Sequence, residues 1–479
     1  MKRSRKVQSL LSPRKIPVVR RPQWLQFTRW VIDPVGYMLD CWKFGADCFA
    51  AGISGSRSQP IIFVQDPQIL HYLFTHDRKE LYAPGDAIAV LEPLIGKSSV
   101  VMLEGERHLR RRRLMLPPFH GERLHVYADL IASIALEEVA KQPQDSPFRA
   151  HRLTQQISLQ VIMQSVFGLE RGPRFEETRR LLTEVFDTFS SPFASMFLYF
   201  KSLQRNWGPW RSFLRRRQQM DTIIHEEISA RATEQRSDRT DVLALLMAAK
   251  DDCGEGMTPQ ELRDELVTLL LAGLETTSTV MAWALYWIHR EPEVKRRLLE
   301  ELALLPAGAK AADMARLPYL TAVCNEVLRI HPPVPFTFSR IVREDMEIMG
   351  WEFPKGSRVA GCIYLLHQRE DLYPRPDEFR PERFLERKFS ISEFMPFGAG
   401  ARRCVGEALA MLEIKVAIAT LLSAYEFALA DERREKPVRR GVILTPSRGV
   451  PIRIVGLRDA AQGGQSLGKG ADNVDLLPG

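Results

Sequence analysis

Six cysteines (Cys41, Cys48, Cys253, Cys324, Cys362 and Cys404) are scattered over 479 residues with no CxxC pair among them. Such spacing describes neither a disulfide framework nor a zinc site, so the fold must rest on an apolar core. The opening MKRSRKVQSLLSPRKIPVV is basic but has no apolar h-region and no run of about 18–20 apolar residues, which argues against a signal peptide or N-terminal anchor. A cytoplasmic protein is expected. No internal repeat is present, which removes repeat architectures. Net charge is also scarce outside one place. Lys and Arg number 67 against 59 Asp and Glu, yet residues 1–21 hold eight basic side chains (Lys2, Arg3, Arg5, Lys6, Arg14, Lys15, Arg20, Arg21) and no acidic one. The excess of +8 is therefore local. A disordered basic arm is expected over 1–21, with peripheral contact at an anionic membrane as its alternative use and no nucleic-acid role. What remains is ordinary globular composition, 45% hydrophobic and 26% charged, long enough for one or two domains and a buried cofactor.

Helical patterns fill the first two-thirds, for instance Ala128–Val139 and Arg211–Arg231. Gln59–Val64, Met346–Phe353, Val359–Ile363 and Val450–Ile454 read as short strands of a small sheet. The Gly-rich tail from Leu457 to residue 479 is expected to be disordered. The longest helix should start at Thr258-Pro259-Gln260-Glu261, which supplies an N-cap, a first-turn proline and the glutamate of a capping box. It should run to about Arg290, roughly 48 Å at 1.5 Å per residue. Leu266–Ile288 is apolar enough to suggest a membrane span, but Glu275 and four hydroxyl residues (Thr276, Thr277, Ser278, Thr279) at its middle favour a buried central helix.

Chemistry concentrates at Phe397-Gly398-Ala399-Gly400-Ala401-Arg402-Arg403-Cys404-Val405-Gly406, which leads into a helical pattern. At a helix start, unpaired N–H groups and the dipole favour a thiolate, and a thiolate is what iron needs. Gly400 allows a tight turn with positive φ, and Gly406, lacking Cβ, lets the helix start lie flat against a macrocycle. Phe397 can shield the sulfur, and Arg402 can meet an anionic edge of that macrocycle.

These residues match the Cys-ligand signature FxxGxRxCxG, and on them the chain resembles the cytochrome P450 superfamily, of the soluble bacterial type, from about Pro34 to Val455. The resemblance implies a mainly α fold with a small β-rich region and a single catalytic domain over 22–456. It implies haem b (iron protoporphyrin IX) held between the long central helix and the helix following the Cys loop, with Cys404 as axial ligand. Ala272-Gly273-Leu274-Glu275-Thr276-Thr277 resembles the family's oxygen-activation segment. There a threonine hydroxyl can bond a backbone carbonyl and open the helix locally, Gly273 lets the haem face approach, and Glu275 with Thr276 forms a proton relay. Glu326 and Arg329 match the ExxR pair, and Arg383 supplies its third partner, a structural cluster. His108, where many members have Trp, together with Arg112 and Arg340, resembles the propionate contacts.

The implied activity is insertion of one atom of O2 into a small lipophilic substrate, fatty-acid- or terpenoid-like, as the general similarity to cyanobacterial members suggests. Ala272, Leu269, Val334, Phe336, Leu444 and the stretch Ala87–Ile95 are the pocket candidates, and the aromatics Phe186, Phe189, Phe193, Phe197 and Tyr199 fall where the family places its lid. With no room for flavin domains, electrons should come from a ferredoxin or flavodoxin and its NAD(P)H-dependent reductase, docking near Arg403 and part of Arg110–Arg113. A monomer is expected. A peroxide-driven peroxygenase or haem-thiolate isomerase is the enzymatic alternative and a non-enzymatic haem sensor the other. The intact Glu275-Thr276 pair speaks against the first, and the lack of a visible signalling module against the second.

Overall fold

The computed structural model describes residues 13–53, 60–85, 89, 91–119, 121, 123–169, 171–190, 208–233, 239–306 and 308–458. Its axis is the central helix, Pro259–Arg290, which starts as the sequence dictates. Thr258 Oγ1 accepts the Glu261 N–H at 3.3 Å, and the Glu261 carboxylate accepts the Thr258 N–H at 2.9 Å. The helix ends at Glu291, where the following proline disfavours helical backbone. It is the one helix among the described residues long and apolar enough to cross a membrane, but 67% of its most apolar window is buried inside the protein.

Two helices pack along it. The flanking helix, Ala150–Ser165, runs antiparallel, since Thr154 meets Ser278 while Ile162 lies beside Gly273. The cysteine helix, Glu407–Ala424, is apolar almost all round and accordingly buried at Leu412, Ile414, Val416, Ile418 and Leu421. The patterns read as helices at 128–139 and 211–231 lie within Arg123–Ala140 and Gly208–Thr233.

Sheet structure is small and is divided among four sheets. The strands are β1 (Arg14–Lys15), β2 (Cys48–Ala51), β3 (Ile61–Val64), β4 (Leu81–Tyr82), β5 (Phe148–Arg149), β6 (Arg340–Val342), β7 (Met346–Ile348), β8 (Trp351–Phe353), β9 (Arg358–Gly361), β10 (Tyr425–Leu429), β11 (Pro437–Arg440), β12 (Ile443–Pro446) and β13 (Pro451–Leu457). The main sheet has the order β2-β3-β9-β6-β4, parallel only between β3 and β9. The strand read at 359–363 stops at Gly361 because Ile363 opens a short helix.

Part of each end expected to be disordered is ordered. Residues 13–21 are ordered: β1 pairs with β8, Arg14 sits over the Trp351 ring at 4.3 Å, and Val19 donates to Ala50 O at 2.9 Å. At the other end Leu457 closes β13, and the Arg458 N–H reaches Ala424 O at 3.0 Å. Residues 1–12 and 459–479 lie outside the described residues.

Candidate active site

Gly400 has φ +68°, and a Cβ there would stand 2.6 Å from Asp77 Oδ2 and 3.2 Å from Phe74 O, so only glycine fits. The turn it permits carries the chain into Cys404, whose N–H bonds Phe397 O at 2.9 Å. Gly406 caps the cysteine helix two residues later, and a Cβ on it would meet nothing within 4 Å. Cys404 lies deep in the protein, yet its side chain is uncovered rather than packed. Burial raises its thiol above the ordinary range, while the Gly406 N–H, Arg112 and Arg403 pull the other way.

The central helix carries an opening of its own. Leu269, Ala272, Gly273 and Thr276, at i, i+3, i+4 and i+7, share one face and are exposed or half-buried, whereas Leu266, Leu270, Leu274 and Thr277 are buried. Thr276 Oγ1 donates to Ala272 O at 2.6 Å, as expected, with the helix still continuous. Glu275 accepts Gln155 Nε2 from the flanking helix at 2.8 Å. Gly273 also meets the flanking helix: a Cβ on it would stand 3.0 Å from Ile162 Cδ1.

Positive charge gathers nearby. His108 is buried and held neutral, its pKa lowered to about 3 by burial first and then by Arg402, Arg112, Arg340 and Arg78. Arg402 is lowered to about 10 by burial and Arg340, against the pull of Asp77 and Glu104. Two arginines expected to point at a propionate are already committed. Arg340 forms a bidentate pair with Asp77 and also donates to Phe338 O at 2.6 Å. Arg402 donates to the carbonyls of Val100 at 2.9 Å, Ala83 at 3.1 Å and Leu103 at 2.5 Å. Both therefore brace loops, whereas among the described residues Arg112 and His108 show no ion pair with a carboxylate.

Behind the cysteine loop stands a fully buried cluster. Glu326 accepts two bonds of 2.8 Å from Arg329 on helix Pro318–Ile330, one of 3.1 Å from Arg383 and one of 2.9 Å from the Arg380 N–H. Arg329 passes on to the carbonyls of His367 and Pro376 at 2.9 and 2.8 Å. The His367 ring in turn accepts the Met395 N–H at 3.2 Å, two residues before Phe397.

The sequence model of the family described as Cytochrome P450 matches residues 54–452. The chain belongs to the cytochrome P450 family. It is 34% identical over 412 residues to cytochrome P450 135B1 of Mycobacterium bovis, covering 86% of this chain and 85% of that one. It is 32% identical over 397 residues to cytochrome P450 137 of Mycobacterium tuberculosis, with 82% and 80% covered. Among solved structures it superposes with a TM-score of 0.81 on the retinoic-acid-bound cyanobacterial CYP120A1 and 0.82 on the haem domain of cytochrome P450DA, each at 22% identity. Those likenesses cover 93% and 95% of this chain and all of each relative. The mainly helical fold, 54% helix among the described residues with small sheets, is the P450 fold.

As a cytochrome P450 the protein is a haem-thiolate monooxygenase that binds haem b. The residues present fit that group: an uncovered cysteine deep in the chain, an open stripe on an otherwise buried helix, and a buried cationic cluster that an anionic edge would neutralise. Phe336 packs on Phe63 and Trp30, with ring centroids at 4.5 and 5.1 Å, and Leu444 is buried in the same cluster. Both serve the core beside the sheet. Leu94 and Ile95 are likewise buried in the main core. Val334 is exposed. Ala87, Phe193, Phe197 and Tyr199 lie outside the described residues, as do the side chains of Phe186 and Phe189. Asp77, Gln155 and His367 were missed, each being distant in sequence from the residue it holds.

Proposed function

We propose that Cys404 is the axial ligand and that Glu275 and Thr276 relay protons in oxidation of a largely apolar, fatty-acid- or terpenoid-sized substrate. When bound, haem supplies dioxygen activation, with the thiolate pushing electron density toward O–O cleavage. The observation that carries the reading is the acid–alcohol pair, with Thr276 on the open stripe. Its hydroxyl hydrogen rests on Ala272 O, and its lone pairs can accept another hydrogen bond; exchanging these roles moves a proton. Arg112 and His108 are proposed to hold the propionates, and Glu326, Arg329 and Arg383 to keep the loop in place.

Turnover should require a ferredoxin or flavodoxin with its NAD(P)H-dependent reductase, unlike that of a peroxygenase or isomerase. Thr276→Ala should leave substrate affinity within about twofold while diverting several-fold more reducing equivalents to peroxide, within the range for losing one proton-transfer group. Unchanged coupling between electron consumption and product would sink the relay. The donor is proposed to dock near Arg403, with only modest electrostatic steering. Arg403 is paired with Glu407 at 2.7 Å, Arg113 with Asp252 at 2.8 Å and Arg110 with Glu255 at 2.9 Å, so this basic surface is largely neutralised.

The open stripe offers methyls and few polar groups, which supports a lipophilic substrate. Binding of fatty acids, followed by the haem spectral shift, should strengthen with chain length by up to about 0.8 kcal/mol per buried CH₂ until the cavity is full. Tight binding confined to small polar compounds would refute it. A cytoplasmic, monomeric enzyme is proposed. Peripheral contact with anionic membrane is supported by Trp24 and Ile32, 69% and 75% exposed on helix Gln23–Ile32, beside Arg20 and Arg21.

A further inference from the structure

Between the flanking and central helices runs a polar seam. Thr154 Oγ1 donates to Ser278 O at 2.8 Å, and His151 stands 3.3 Å from Thr279 Oγ1. Ser158 bonds Glu413 of the cysteine helix at 2.5 Å, and Ile162 fills the space Gly273 leaves. The backbone around residue 155 is thereby fixed against both helices that frame the site. From this held position Gln155 Nε2 reaches Glu275 at 2.8 Å. Glu275 follows the open stripe by about 100° around the helix from its neighbour Thr276, so its half-buried side chain has rotamers that turn away from the alcohol.

We infer that Gln155 is the positioning residue for Glu275, holding its carboxylate in one orientation so that protons arrive in step with electrons. The inference rests on the proposed relay and adds a residue to it. A neutral amide suits the task. It fixes the carboxylate geometrically, whereas an arginine or lysine would lower the acid's pKa by about 1–3 units and hold it deprotonated. Arg152, Glu407 and Lys415 lie on the packed helices at less buried positions, and the two buried titratable groups there are His151, neutral because burial lowers it to about 4, and Glu413, raised by burial to about 7. Both stay in place in the variants below.

The test uses the haem-loaded full chain with a plant-type ferredoxin and its reductase, scoring peroxide per electron consumed with dodecanoic acid as probe. Glu275→Gln is the reference. Gln155→Leu should raise the peroxide fraction at least threefold, enlarge the solvent deuterium isotope effect, and split or broaden the C–O stretch of the carbon monoxide adduct. Gln155→Glu has the same shape and sets two carboxyl groups within hydrogen-bond distance to share one proton, so the pH profile of coupling should move upward by about a unit. If Glu275→Gln leaves peroxide unchanged, the relay itself is wrong. If Glu275→Gln uncouples while both Gln155 variants keep the parental peroxide fraction, pH profile and C–O stretch, the inference on Gln155 is overturned. Should the leucine variant not fold, the isosteric glutamate decides on pH profile and stretch alone.

Discussion

Cys404→Ser should give a folded protein whose ferrous carbon monoxide adduct lacks the strongly red-shifted Soret band of thiolate ligation. Its monooxygenase turnover should fall by about a hundredfold or more, the scale on which sites lose activity when one charge-stabilising group goes. Folding should survive because the Cys404 side chain is uncovered, so replacing sulfur by oxygen opens no cavity in packed core. Ligation should not, because a serine hydroxyl does not ionise in this range. No other cysteine can stand in. Cys41, Cys48 and Cys324 are buried, with burial pushing their thiols up to about 11, 12 and 12. Cys362 is buried and raised further still, and Cys253 is exposed on a turn. Absorbance spectra of the reduced, carbon monoxide-treated variant decide the matter. A retained red-shifted band would remove Cys404 from the iron.

How much of this could be read from the chain depends on the sequence distance over which each contact acts. The cap at Thr258 is a four-residue pattern, and its two bonds form as that pattern dictates. The turn at Gly400 and the ion pair at i, i+3 between Glu326 and Arg329 are equally local. Arg340 and Asp77 are 263 residues apart, and Gln155 and Glu275 are 120 apart, with nothing in either segment that names the other. The same limit applies to the surroundings of single residues. Gly273 and Phe336 have the right types for a haem wall and a pocket wall, but which neighbour fills the space around them is settled by helix and sheet packing. Charge misleads in a related way. The run Arg110–Arg113 reads as a basic surface until Asp251, Asp252 and Glu255 arrive from another part of the chain. Arg111 is then buried against Glu265 at 2.8 Å, holding the start of the central helix to the helix Gly105–Met115.

The largest stability effect should come from Glu326→Gln. Glu326, Arg329 and Arg383 are at most 4% exposed, and the single carboxylate faces two guanidinium groups. Its amide replacement keeps the shape but removes the one negative charge, leaving both cations buried with only carbonyl and amide acceptors such as His367 O and Pro376 O. Breaking a buried pair by removing one partner costs about 3–5 kcal/mol, against a total stability of about 5–15 kcal/mol for a typical protein. The variant should therefore unfold at markedly lower denaturant. It should also lose haem faster, because Arg329 reaches the cysteine loop through His367 and the Met395 N–H. Double substitution separates charge from shape. Glu326→Gln combined with Arg329→Met leaves fewer unpaired charges, so its cost should fall well below the sum of the two single changes. Denaturant midpoints of the haem-loaded proteins measure both. A loss under about 1 kcal/mol for Glu326→Gln, or strict additivity in the double variant, would show that the cluster is held by packing and backbone bonds rather than by its buried charges.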